Sequence, residues 1–267
     1  MIRSPAVAGR FYPADSQILA HEIDQYVASK TAKSAVRACL VPHAGYMYSG
    51  HVAGAVYASI EIPPLCILIG PRHFPRGAPL SILTEGSWAT PFGEAQIHSA
   101  LAKRVAQECP LLREDPVAHQ TEHSLEVQLP FLQFLVPDFR FVPIVLASDR
   151  FRALEDLGHG LARAVAAETA PLLLVISSDL NHYESDDVTR VKDRKAIERI
   201  LAIDPRGLYD TVRNEEISMC GYAATVTALA ALNDLGATEG KLVRYATSGD
   251  VTGDRDEVVG YAGIVFP

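Results

Sequence analysis

The sequence has no apolar run approaching the roughly 20 residues that a membrane-spanning helix needs, and nowhere do four lysines or arginines follow one another. A helical membrane span and a polybasic lipid-binding patch are thereby set aside. Positive charge is in deficit: 24 Lys and Arg stand against 32 Asp and Glu, for a formal charge of -8. That balance argues against nucleic acid as a partner. The segment Met1-Ile2-Arg3-Ser4-Pro5 lacks the apolar centre of a signal peptide, so the expected compartment is the cytoplasm. Cysteine is scarce, at 39, 66, 109 and 220, with no C-x-x-C pair and no disulfide-dense spacing. The glycine signatures of dinucleotide folds, P-loops and serine-hydrolase elbows are missing too. No linker, internal repeat or low-complexity tract interrupts the chain, so one domain over 1–267 is expected.

What is present is an ordinary globular composition, 48% hydrophobic and 21% charged, in a 267-residue chain long enough for a substantial core. Apolar strand-like runs at 36–41, 65–69, 139–146 and 172–176 alternate with helical patterns at 48–60, 99–108, 150–169, 186–202 and 219–235. Ser16 is placed to cap a helix running to about Ser29. Helix is also expected over 122–135, where Leu125, Leu129 and Leu132 make a stripe, and short strands at 80–83 and 95–97 flank a loop around Trp88. The last two strands, 242–247 and 258–266, are separated by a turn-rich stretch and predict a hairpin. The fold expected is α/β, with a mixed central sheet flanked by helices.

Polar patches close several of these runs. Val41-Pro42-His43-Ala44-Gly45-Tyr46 ends the first, Gly70-Pro71-Arg72-His73 the second, and Ser177-Ser178-Asp179-Leu180-Asn181-His182 the run at 172–176, while Met219-Cys220-Gly221 adds a thiol before a helix. Ligands in open α/β sheets bind beyond the carboxyl ends of strands, so these patches can converge. His43, His73 and Cys220 have the chemistry of transition-metal ligands, two imidazoles and a thiolate. Asp179 and His182 can aim into one cleft, the histidine as proton shuttle and the carboxylate orienting it. The plain alternative makes Asp179 a cap and Asn181 a left-handed turn residue. His119 and His123 are four apart, but Glu122 falls at the wrong position for H-E-x-x-H; His123 can instead point into the same cleft. His21, His51, His98 and His159 read as solvated or structural, and Cys39 and Cys66 as small buried hydrophobes.

Taken together, Arg3-Ser4-Pro5-Ala6-Val7-Ala8-Gly9-Arg10-Phe11-Tyr12-Pro13, Pro42-His43-Ala44-Gly45-Tyr46, Gly70-Pro71-Arg72-His73, Glu122-His123-Ser124-Leu125-Glu126, Ser177-Ser178-Asp179-Leu180-Asn181-His182-Tyr183 and Cys220-Gly221 resemble the Memo family. Its bacterial and archaeal members are also called AmmeMemoRadiSam system protein B. The resemblance implies a fold similar to the LigB-like class III extradiol dioxygenases, which use non-haem iron(II). It places His43, His73 and Cys220 on metal-binding positions, with Asp179, His182 and His123 in the same pocket. It implies iron or copper as cofactor, iron(II) foremost, while two imidazoles and a thiolate by their own chemistry also suit zinc. The dioxygenases have a carboxylate where Cys220 stands, so ring opening does not carry over. Three function classes follow: a metal-dependent oxidoreductase, a hydrolase with Cys220 as nucleophile and His182 and Asp179 as its partners, and a non-catalytic protein that binds a small-molecule or peptide ligand.

Overall fold

The computed structural model describes residues 1–28 and 32–267. Strands apolar at nearly every position suit a parallel sheet covered on both sides, where neither face meets water. In chain order the strands are β1 Ile2–Arg3, β2 Ala38–Val41, β3 Leu65–Pro71, β4 Leu80–Ile82, β5 Ser87–Thr90, β6 Gly93–Ile97, β7 Arg113–Glu114, β8 Arg140–Leu146, β9 Leu172–Ser177, β10 His182–Glu184, β11 Lys241–Thr247 and β12 Val258–Phe266. They form one mixed twelve-stranded sheet with the main path β1-β5-β6-β8-β3-β9-β2-β12-β10. Its centre, β6-β8-β3-β9-β2, is parallel, and β12 runs antiparallel to β2. β11 and β12 pair antiparallel, the expected hairpin.

The helices are α1 Ser16–Val27, α2 Tyr46–Ser59, α3 Ser99–Glu108, α4 Pro116–His119, α5 Leu129–Leu135, α6 Phe151–Ala166, α7 Asp186–Leu201, α8 Pro205–Asn214, α9 Tyr222–Asp234 and α10 Gly249–Thr252. α9 lies on β3 and β9 and is itself covered by α6 and α8, whereas α2 lies on β2, β11 and β12 beneath α1. Helices of small residues let backbones approach closely: a Cβ at Gly158 of α6 would sit 2.5 Å from the Thr227 carbonyl oxygen of α9. Among the described residues no helix is long and apolar enough to cross a membrane.

Several local expectations are corrected. α1 is capped by Asp15, whose carboxylate accepts the backbone N–H groups of Gln17 and Ile18; the helix ends at Val27, and Ser29 lies outside the described residues. The helix expected over 122–135 is broken into an irregular stretch, a 3₁₀ turn at Glu126–Gln128 and α5. Pro130 explains part of this, because its missing N–H is tolerated only in a first helical turn. The stretch around Trp88 is the strand β5, paired with β6 through a turn in which Gly93 has φ +101°. α8 was not anticipated, although Asp204 followed by Pro205 is a helix-start signal.

Candidate metal centre

β9 lies between β3 and β2, and the paired registers Val41↔Ser177 and Ile69↔Ile176 bring the three strand ends level. His43, His73 and Asp179 each come two residues beyond the end of one of these strands. Equal offsets from level strand ends put the three side chains on one rim. Cys220 arrives from the opposite direction of the chain, just before α9. Donor atoms of His43, His73 and Cys220 all lie within 4.8 Å of one another, and Cys220 Sγ is 3.2 Å from His43 Nε2. A cleft of about 870 Å³ opens over them, and Asp179, His182 and His123 line it too.

Hydrogen-bond counting fixes both imidazoles. The Ser177 hydroxyl donates its one hydrogen to the Ser124 carbonyl at 2.6 Å and accepts from Gln128 Nε2 at 3.1 Å. His43 Nδ1, 2.9 Å from the same oxygen, can only donate to it. His43 Nε2 is therefore a bare lone pair facing the Cys220 sulfur. Gln128 is oriented in turn, because its nitrogen faces the acceptor-only Pro42 carbonyl and its oxygen accepts from the Tyr57 hydroxyl. His73 Nδ1 donates to the buried Glu122 carboxylate at 2.9 Å; in the neutral ring this leaves Nε2 bare as well. The same carboxylate accepts the backbone N–H groups of His73 and Ser124. Glu122 is thus the residue that sets His73, although in the sequence it looks only like a misplaced protease glutamate.

Cys220 receives the Asp179 backbone N–H at 3.3 Å. A Cβ at Gly221 would meet Ser178 Cβ at 2.4 Å and the Ser177 carbonyl at 2.7 Å, so glycine is required beside the thiol for α9 to start this close to β9. Asp179 is buried and accepts the His43 backbone N–H at 2.8 Å; it caps no helix. The His123 ring stacks on His73 with centroids 4.5 Å apart and meets Phe11 edge-on at 4.9 Å. His182 is half-buried in the cleft wall, in a short strand paired with β12 that the sequence did not suggest. His119 goes elsewhere: it is fully buried against Ser81 and Trp88. Asn181 is buried, and the left-handed residue of this loop is Tyr183, at φ 60°.

The pattern of the Memo-like protein family matches residues 3–265. The chain belongs to that family. Among its relatives, the MEMO1 family protein of Caldivirga maquilingensis is 40% identical over 277 residues, covering 99% of this chain and 98% of its own. That of Methanopyrus kandleri is 39% identical over 280 residues, with 100% and 99% covered. That of Aquifex aeolicus is 40% identical over 267 residues, with 99% of each covered. The crystal structure of an uncharacterized Escherichia coli K12 protein, JW3007, is similar in fold at TM-score 0.58 and 12% identity, covering 85% of this chain and 99% of its own.

In this Memo-like chain the charge states suit a cation. Burial drives the His43 pKa well below the usual histidine value, helped by the neighbouring His73, His123 and His182, so the ring is neutral. Burial likewise lowers His123 to about 4. Glu122 is opposed by burial, but the hydrogen bond and charge of His73, with His123 and the Ser124 N–H, hold it at about 2. Burial and the Asp179 carboxylate push the Cys220 thiol well above its ordinary value. Two bare imidazole nitrogens and one sulfur, close enough for bonds of about 2.0–2.3 Å to one ion with little movement, fit a transition metal.

The outer hydrogen bonds predict their own effect. Ser177→Ala removes the acceptor for His43 Nδ1–H, and Glu122→Gln replaces the charge that orients His73. Each is expected to weaken metal affinity by about 10–100-fold, read by competition against a chelator. Unchanged affinity in both would show that the rings need no such support.

Proposed function

We propose that His43, His73 and Cys220 hold one transition-metal ion, iron(II) foremost, and that the cleft above it carries out metal-dependent oxidation of a small molecule. The observation that carries this reading is the pair of imidazoles whose Nδ1–H groups are committed to Ser177 and Glu122, so that both Nε2 lone pairs stay bare beside the Cys220 sulfur. Copper and zinc suit the same donors, and affinity alone does not choose among them. A bound redox-active ion supplies Lewis acidity and electron transfer. The chain's own residues supply the rest. Asp179 holds the His43 backbone and aims its amide at the sulfur, and His182 takes or gives a proton in the cleft wall. His123 and Phe11 meet edge-on and wall the cleft beside the donors.

A thiol-nucleophile hydrolase is less well supported. Such enzymes need a depressed thiol pKa and a basic partner, whereas here burial raises Cys220 and lowers His43, its nearest base. A nearby cation would reverse the first of these. Metal uptake near neutral pH is accordingly expected to release about one proton per ion, from Cys220, since His43 is already neutral. Affinity should then rise with pH in this range. Calorimetry in buffers of different ionisation enthalpy measures the release, and a value near zero would contradict the thiolate ligand.

The deciding experiment is elemental analysis of protein purified without oxygen, followed by oxygen uptake on catechol-type substrates. Absence of any metal would remove the reading. Full occupancy with no turnover on any substrate would instead indicate a ligand-binding protein on this fold.

A further inference from the structure

The Asn181 side chain is fully buried and fully used. Its oxygen accepts the Ser218 backbone N–H at 3.1 Å and the Ser218 hydroxyl at 3.1 Å. Its nitrogen donates to the Glu184 carboxylate at 2.7 Å and to Thr189 Oγ1 at 3.3 Å. The amide cannot be flipped, because the Ser218 N–H is donor-only and the carboxylate acceptor-only. Ser218 in turn grips His182: its hydroxyl accepts the His182 backbone N–H at 2.7 Å and shares its one hydrogen between Asn181 Oδ1 and the His182 carbonyl at 3.2 Å, and its own carbonyl lies 2.9 Å from His182 Nδ1. A carbonyl only accepts, so Nδ1 carries the proton. His182 Nε2 has no protein partner among the described residues.

The neighbouring backbone shows that this grip works against a local cost. Tyr183 has φ 60°, a left-handed conformation that a bulky residue rarely adopts, and the residue is 72% exposed at the cleft mouth. Such strain persists only where surrounding bonds over-determine it. Asn181 supplies bonds on both sides, to Glu184 beyond the strained residue and to Ser218 across the cleft wall.

We propose that Asn181 is the positioning residue of His182: it anchors the Ser218 backbone so that the Ser218 carbonyl holds the imidazole as the Nδ1–H tautomer, with Nε2 bare. The ring then starts as a base. A proton leaving a substrate hydroxyl goes to Nε2, and the resulting imidazolium keeps its Nδ1–H on the carbonyl. This deepens the proposed function, since it rests on His182 as the proton-transfer group.

The test is ¹⁵N-histidine NMR on the whole, metal-free protein, with the His182 signals assigned from His182→Gln. Wild type is expected to show the Nδ1–H form. Asn181→Ala should lower the share of that form about twofold or more, whereas Ser218→Ala, which keeps the backbone carbonyl and N–H, should retain it. An Nε2–H ring in wild type overturns the proposal, as does an unchanged tautomer in folded Asn181→Ala. If Asn181→Ala does not fold, the wild-type spectrum still decides the tautomer. The double variant Asn181→Asp/Glu184→Gln, which keeps the acceptor for Ser218 and restores a donor–acceptor pair between positions 181 and 184, must then preserve it, and loss there also overturns the assignment. The spectra need no metal, so a failure of metal loading would remove the proposed function while leaving the tautomer result standing.

Discussion

Cys220→Ser is expected to lose most of its bound metal, while His182→Ala keeps its metal and loses oxygen-dependent turnover by about 10²–10⁴-fold. The contrast follows from what each side chain offers. A neutral hydroxyl donates far less charge than a thiolate, and no other cysteine can substitute. Cys39, Cys66 and Cys109 are buried, and burial raises the pKa of all three thiols. His182 stands in the cleft wall with Nδ1 committed to Ser218, so its removal should not disturb the donors of His43 and His73. Elemental analysis of both variants, paired with oxygen uptake, checks the assignment. Metal lost in His182→Ala but retained in Cys220→Ser would invert it.

Glu126→Ala should unfold at a markedly lower temperature, with a loss of about 3–5 kcal/mol for breaking a buried ion pair from one side. The Glu126 carboxylate is inaccessible and accepts four hydrogen bonds: from Arg3 Nη1 at 2.7 Å, the Ala6 N–H at 2.8 Å, the Val7 N–H at 2.9 Å and the Tyr12 hydroxyl at 2.8 Å. Truncation strands all four donors. Arg3 would keep its bonds to the His119 and Glu122 carbonyls and its place 4.0 Å over the Trp88 ring, but as an uncompensated buried charge. The double variant Arg3→Ala/Glu126→Ala should therefore lose less than the sum of the single variants. Thermal or denaturant unfolding of the three proteins measures this, and strict additivity would show that the pair is not coupled. The effect reaches the site, because the strap pinned by Glu126 carries Phe11 against His123.

The family assignment and the α/β alternation were legible without coordinates. Apolar runs at β3, β8 and β9 have no polar face, which only a covered sheet accommodates. The six candidate residues were legible for a related reason. Three of them, His43, His73 and Asp179, lie two residues past apolar strands, so the strand ends bring their backbones to one rim. Helix boundaries were less so where side chains compete with the backbone. Over 122–128 the Glu122 and Glu126 carboxylates take up backbone N–H groups, and a leucine stripe says nothing about that.

The sequence by itself determined the family, the sheet's central strands, and the residue types that could hold a metal. Only the tertiary structure decided which side chains serve them. Ser177 and Gln128 hold His43, Glu122 holds His73, and Asn181 with Ser218 holds His182, partners separated along the chain by up to 134 positions. A serine or glutamine in a sequence carries no sign of what it will face. Its role is fixed by a count of donors and acceptors in a buried place, and that count exists only once β2, β3 and β9 lie side by side.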